Sequence, residues 1–122
     1  MPVYSRQILS GSTNGRPIIL NTATAGVEVH TVQATSTAAR ESLWLWARNN
    51  DNSAAQMTLV LISATATNTM PVFLAARSDP NEAYKKVFLG VPLVGTDTMV
   101  RAYTATISNA VTLLGFVNRV VT

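Results

Sequence analysis

The chain contains no cysteine and a single histidine, His30. Without cysteine it can form neither a disulfide nor a cysteine-based zinc site, which excludes a small disulfide-stapled scaffold. Charged residues make up only 12% of the sequence, and they are scattered except for the pairs Arg40-Glu41 and Lys85-Lys86. Enzymes generally need clustered titratable groups with tuned pKa values. The composition therefore predicts a protein that is not an enzyme.

The sequence also lacks the motifs of phosphate, nucleotide and hydrolase sites. G-x-G-x-x-G, G-x-x-x-x-G-K-[ST], G-x-S-x-G and H-E-x-x-H are all absent. His30 lies in the middle of a candidate strand, where a hydrogen-bonded structural histidine is the favoured interpretation and a ligand or base the alternative. We expect no catalytic, metal-binding or cofactor-binding residues and no cofactor. A carboxylate pair from distant strands, as in a small hydrolase, stays open.

Length and charge set further limits. A chain of 122 residues is expected to form one domain. The net charge of +3 is spread along the chain, which favours solvated charges over a nucleic-acid patch. The longest apolar stretch, 57–66, is too short for a membrane-spanning helix, and residues 1–6 show no signal-peptide pattern. We therefore expect synthesis in the cytoplasm and neither a specific nucleic acid nor a membrane as partner.

Apolar residues, 48% of the total, recur in short segments with the two-residue period of β-strands. We predict an all-β fold, a single-domain β-sandwich or jelly-roll-like domain over residues 17–122 with about seven or eight short antiparallel strands. Residues 1–16 are rich in turn formers and predict an extended N-terminal arm that drapes over its own domain or reaches a neighbour. The candidate strands are 17–20, 27–33, 42–48, 56–63, 72–74, 86–90, 98–105 and 111–121.

Three of these strands, 42–48, 56–63 and 111–121, are apolar on both faces, whereas a sandwich strand normally buries only one. The second face should be covered by another copy, by the arm or by a partner. We therefore expect a homo-oligomer, a trimer. Trp44, Trp46 and Arg48 share one strand face, which favours a core or subunit-interface face over a platform for a sugar or a partner. Gly115 within a strand predicts a bulge or a close approach by another element.

Four segments carry a resemblance. VEVHT at 27–31 and ESLWLWARNN at 41–50, followed by VRAYTAT at 100–106 and GFVNRV at 115–120, are similar to the patterns "HT…E-WLYA-N" and "VVRAFAAT…GFVNRI" of small tailed-phage virion proteins. The resemblance covers roughly residues 27–120, and between 63 and 93 the chain departs from it. It implies a virion structural protein, with a capsid decoration (cement) protein on the capsid surface as the first role. The carried-over motif residues, all structural, are Trp44, Asn49, Arg101, Gly115, Asn118 and Arg119.

The expected partners are further copies of the chain and the major capsid protein of the virion. Two other functions stay open, a head–tail connector or tail-associated component and a carbohydrate-binding module that uses Trp44 and Trp46. The predicted interface residues combine the apolar anchors of the arm with aromatic and basic residues of the strands. They are Tyr4, Ile8, Leu9, Trp44, Trp46, Arg48, Arg101, Tyr103, Phe116 and Arg119.

Overall fold

Residues 3–32, 39–63, 66–79, 83–93, 98–105 and 108–121 are described by the computed structural model. Within these ranges nine strands form two antiparallel sheets, which confirms the all-β class and a sandwich. The strands are β1 (Val3–Ile8), β2 (Ile18–Ile19), β3 (Val27–Thr31), β4 (Ala39–Asn49), β5 (Ala55–Ile62), β6 (Thr67–Leu74), β7 (Tyr84–Leu93), β8 (Met99–Thr104) and β9 (Val111–Val121). The described residues include no helix long and apolar enough to cross a membrane.

The two sheets have different strand orders. Sheet A is five-stranded, in the order β1-β9-β4-β7, with β2 pairing to β9 on the same side as β1. Sheet B is four-stranded, in the order β3-β8-β5-β6. β4 and β9, the central strands of sheet A, pair without interruption from Ala39↔Val121 to Asn49↔Val111. This long regular pair is the frame on which the outer surface of sheet A is built.

The core lies between the sheets. Leu43 and Leu45 of β4 are fully buried, as are Met57 and Leu59 of β5 in the opposite sheet. Alternation along each strand places these side chains on one face, as the sequence predicts for 42–48 and 56–63. Burying one such side chain contributes about 1.5–3 kcal/mol, so the apolar inner faces are the main source of stability.

The described residues contain one strand more than the eight candidates from the sequence, and β6 and β7 are longer than predicted. β6 starts at Thr67, within a polar stretch that carries no strand pattern, because it pairs with β5 at every position from Ala55↔Leu74 to Ile62↔Thr67. β7 runs from Tyr84 to Leu93 rather than over 86–90. The pairing partner, rather than the local residues, extends both strands.

The N-terminal segment is part of the domain. Of the two alternatives for an arm, the structure shows the one in which it lies on its own domain, since residues 3–8 form β1 and pair with β9. Leu9 is 1% exposed and belongs to the core cluster. Its expected role as an anchor in a neighbour is therefore wrong, because the core of the same chain already holds it.

Candidate docking surface and buried polar network

The outer face of sheet A is the side turned away from the core. Trp44 lies opposite Phe116 and Leu89 in the sheet register, and directly paired residues point to the same side. Their strand neighbours Leu43 and Leu45 point into the core, so the pairing defines the opposite face. The principal members of this outer face are Tyr4, Arg6, Ile8, Ile19, Arg40, Trp44, Trp46, Arg48, Tyr84, Lys86, Leu89, Leu114 and Phe116.

Phe116 is the centre of an aromatic cluster on this face. Its ring centroid lies 6.0 Å from that of Trp44 at an interplanar angle of 13°, and 5.9 Å from that of Trp46 at 37°. The guanidinium carbon of Arg6 lies 4.3 Å from the Phe116 centroid, in a cation–π arrangement. These contacts join β1, β9 and β4 on the outside of the sheet and hold the aromatic side chains in fixed positions.

Aliphatic side chains surround the cluster and are open to solvent. Ile8 and Ile19 are each 55% exposed, Leu89 is 56% exposed and Leu114 is 50% exposed. Contiguous exposed apolar patches are rare on soluble monomers and commonly mark interaction sites. The outer face of sheet A is therefore the candidate docking surface of this protein.

The charges on the outer face have one sign among the described residues. Its cations are Arg6, Arg40, Arg48 and Lys86. The described carboxylates lie elsewhere, with Glu28 on β3, Glu41 buried, and Asp51 and Asp79 outside the strands. A partner surface with carboxylates around an apolar centre would be complementary. Two copies placed face to face would bring like charges together.

A polar network lies buried between the sheets. Glu41 of β4 in sheet A and His30 of β3 in sheet B are each 1% exposed, and Glu41 Oε1 lies 2.9 Å from His30 Nε2. The other carboxylate oxygen, Oε2, accepts hydrogen bonds from Arg119 Nε at 2.9 Å and Nη2 at 2.8 Å. Residues from two regions of the resemblance, "HT…E" and "NR", thus form one network, in which the hydrogen bond between His30 and Glu41 crosses the core and the ion pair between Glu41 and Arg119 lies within sheet A.

The hydrogen bonds of His30 determine its tautomer. The backbone N–H of Ser10 donates to His30 Nδ1 at 3.1 Å, so Nδ1 carries no proton and Nε2–H donates to Glu41. His30 reaches Glu41 because β3 changes register between Glu28 and His30, which turns both Val29 and His30 inward. The result supports a structural, hydrogen-bonded histidine.

The turn that follows β1 is fastened to β3 through the same region. Ser10 Oγ donates to Glu28 Oε2 at 2.6 Å and accepts from the backbone N–H of Thr31 at 2.7 Å. Gly11 N–H donates to the Val29 carbonyl at 3.1 Å. A Cβ at Gly11 would overlap the Glu28 carbonyl oxygen, so only glycine allows this close approach.

The structure brings most of the predicted interface residues together. Tyr4, Ile8, Trp44, Trp46, Arg48 and Phe116 all lie on the outer face of sheet A. Tyr103 and Arg101 lie on β8 of sheet B, where Arg101 donates to the carbonyls of Ala25 and Gly26 at 2.8 and 2.6 Å. Arg119 belongs to the buried network and Leu9 to the core.

Other motif residues also have structural contacts. Asn49 is fully buried, and its Nδ2 donates to the carbonyls of Ser53 and Ala75. The Trp44 carbonyl oxygen occupies the position that a Cβ on Gly115 would take, which confirms the predicted close approach. Both residues therefore fix backbone geometry, as the resemblance implies for its motif.

The contribution of β7 to the outer face is absent from the sequence prediction. β7 changes register against β4 twice, between Leu43 and Trp44 and between Leu45 and Trp46. Lys86 and Leu89 consequently share a face although they are an odd number of positions apart. The sequence feature that could have indicated this irregularity is the glycine at position 90. Gly90 has a φ of +80° in the structure, a conformation that favours glycine and is common at bulges.

Comparisons of the chain with protein-family models, with curated proteins and with solved structures found no match. No group of three or more His, Cys, Asp or Glu side chains is placed to hold a metal ion within the described ranges.

Proposed function

We propose that this protein is a non-enzymatic virion structural protein, a decoration (cement) protein that binds and stabilises the major capsid protein lattice of a tailed phage. The observation that carries the proposal is the outer face of sheet A, an exposed apolar surface around Phe116 with only basic charge among the described residues. The resemblance of the four segments to tailed-phage virion proteins supplies the context. The outer face is the surface that seats on the lattice.

The chemistry of the face specifies the capsid surface it fits. That surface has an apolar centre to cover the aliphatic side chains and carboxylates to meet Arg6, Arg48 and Lys86. Charged rims chiefly set orientation and association rate, whereas buried apolar anchors supply most of the affinity. Many equivalent seats on a shell also permit weak single contacts, because multivalent attachment raises the overall affinity.

A carbohydrate-binding role is less well supported by the positions of the tryptophans. The Trp44 ring packs against Gly90, and its Nε1–H is buried without a hydrogen-bond partner among the described residues. This donor cannot reach a sugar hydroxyl. Ile8, Leu89 and Leu114, which pair directly with the clustered aromatic residues in the sheet register, are exposed and aliphatic, and these fit a protein surface better than a sugar ring. A protein partner is therefore favoured.

The docking surface is tested by binding to capsids that lack the protein. The double variant Leu89→Ser/Leu114→Ser removes exposed apolar groups from the outer face without touching the core. We expect capsid co-sedimentation to fall at least about tenfold, the equivalent of about 1.4 kcal/mol, with an unchanged thermal midpoint. Phe73→Ser is the matched control, since Phe73 is 64% exposed on β6 of the other sheet. Equal loss with the control, or full retention of the double variant, would contradict the proposed seat.

Copy number distinguishes the decoration role from a head–tail or tail-associated component. Quantitative mass spectrometry of purified virions should give this chain in a high copy number per particle, comparable with that of the major capsid protein. A neck or tail component would instead be present in a small number of copies per particle, and that result would favour the alternative.

A further inference from the structure

β1 and the short β2 lie at one edge of sheet A, and β7 lies at the other. The outward backbone groups of an edge strand have no partner in the sheet, so they can pair with a strand of another chain. Natural proteins prevent this with prolines, lysines, bulges or covering segments. The four sheet edges of this protein differ in how many of these features they carry.

Three of the edges are blocked. β7 has two register shifts against β4, contains Pro92 and carries Lys85 and Lys86. β6 contains Pro71. β3 has a register shift at Glu28/His30 and is covered by the turn at Gly11. Each of these features interferes with the addition of a further strand.

Within the described ranges β1 has no proline, lysine, bulge or covering segment, and its one charged residue is Arg6. Its sequence, VYSRQI, contains neither proline nor lysine, and its pairing with β9 is regular from Val3↔Val121 to Ile8↔Phe116. Tyr4 is 73% exposed. An open depression of about 560 Å³ lies over the outer face of β1 and β9, lined by Tyr4, Ser5, Arg6 and Asn118. β1 is therefore a regular edge that contains neither proline nor lysine.

We propose that β1 pairs antiparallel with β1 of a second copy of this chain, about a two-fold axis normal to the sheet. Directly opposite residues in such a pair lie on the same face of the sheet. The two-fold axis must therefore pass midway between one residue of β1 and the same residue of the other copy. An axis at Ser5 places Tyr4 opposite Arg6 of the other copy, which allows a cation–π contact on each side. An axis at Arg6 would place two guanidinium groups opposite each other, which is destabilising. The register centred on Ser5 is the favoured one.

The partner at the free edge of β1 is a second copy of this chain, because β1 is complementary to itself in the register centred on Ser5. It does not depend on the role in a virion. It also differs from the trimer expected from the sequence, in which copies would meet through two-sided apolar strands. The basic outer face opposes such a contact, whereas the edge of β1 brings no like charges together.

A cysteine substitution tests both the contact and its register, since the natural chain has no cysteine. Opposite Cα atoms in an antiparallel pair lie about 4.5–5.5 Å apart, within the range of about 4.4–6.8 Å that a disulfide spans. Oxidised Ser5→Cys should form a covalent dimer, whereas Gln7→Cys, whose opposite residue is Val3, should remain uncrosslinked. Faster crosslinking of Arg6→Cys than of Ser5→Cys would overturn the register.

Sedimentation of the full chain tests the association itself. We expect a dimer, and Tyr4→Lys, which places like charges opposite each other, should weaken dimerisation at least tenfold. Tyr4→Lys/Arg6→Glu should restore the dimer by pairing opposite charges, and Phe73→Lys on β6 should have no effect. A monomer at high concentration, a trimer, or a dimer insensitive to Tyr4→Lys would overturn the proposal. Because this experiment contains no capsid, its result is independent of the proposed function.

Discussion

Glu41 is the residue on which the connection between the sheets depends. Its carboxylate is held by His30 from sheet B and by Arg119 from β9, and it is almost completely buried. A buried charge that loses its partner is strongly destabilising, although an intact buried pair is not necessarily stabilising. The Arg119 side chain is 23% exposed, so one end of the network retains contact with water.

Replacing Glu41 by glutamine should destabilise the protein. The amide has nearly the same size but lacks the negative charge that faces Arg119. Its NH2 group is a hydrogen-bond donor, although both neighbours of this side chain, His30 and Arg119, are donors already. We expect the free energy of unfolding to fall by about 3 kcal/mol, the lower part of the range for a broken buried pair, in urea denaturation. Glu28→Gln, on β3 two residues before His30, should cost about 1 kcal/mol or less. Equal effects would contradict a special role for the buried carboxylate.

Gly115 should not tolerate a side chain. In Gly115→Ala the new methyl group would meet the Trp44 carbonyl oxygen, and the central β4–β9 pair would have to move. Overpacking of this kind costs about 1–3 kcal/mol, measurable as a lower denaturation midpoint. Leu114→Ala, on the exposed face of the same strand, is the control and should change stability little. An alanine variant as stable as the natural chain would contradict the close approach.

At the scale of elements, β1 and the turn after it fasten the two sheets together. β1 extends sheet A beside β9, Leu9 enters the core, and Ser10 and Gly11 then bond to β3 of sheet B. The segment that the sequence predicts to be an arm is therefore attached to sheet A at its start and to sheet B at its end. Its removal would expose the edge of β9 and open the region around His30.

Two neighbouring residues separate the core role of this segment from its surface role. Leu9→Ala should lower the free energy of unfolding by about 2–5 kcal/mol, as expected for a buried leucine. Ile8→Ala, at a position that is 55% exposed, should cost less than about 1 kcal/mol and affect docking instead. Chemical denaturation of both variants measures the difference. Similar values for the two would show that the segment behaves as a loose arm.

At the scale of the whole molecule, hydrophobic alternation predicted the sandwich, and the two-sided character of 42–48 and 111–121 predicted the apolar outer face of sheet A; the covering of that face by a partner stays a prediction. These properties follow from local sequence because the period of a strand is fixed. The strand β1, the start of β6 and the inward position of His30 were not predictable from local residues. Each depends on a distant partner: β9 for Val3–Ile8, β5 for Thr67, and the register shift against β8 for His30.

Association should also appear in thermal unfolding of the whole protein. Because folding of a dimer is linked to association, its midpoint should rise with protein concentration. We expect this dependence for the natural chain and its loss in Tyr4→Lys, measured by calorimetry over a wide concentration range. A midpoint independent of concentration in the natural chain would contradict self-association.

The direction in which β1 extends sheet A has a consequence for attachment. The proposed two-fold axis normal to the sheet would leave the basic aromatic faces of both copies pointing to the same side, so one dimer would present two docking surfaces to one flat partner. Once the first seat is occupied, the second binds at a high local concentration, and release requires both to open together. Such a pair would act as a clamp between neighbouring capsid subunits, with its strength determined as much by the spacing of the seats as by the contacts within each.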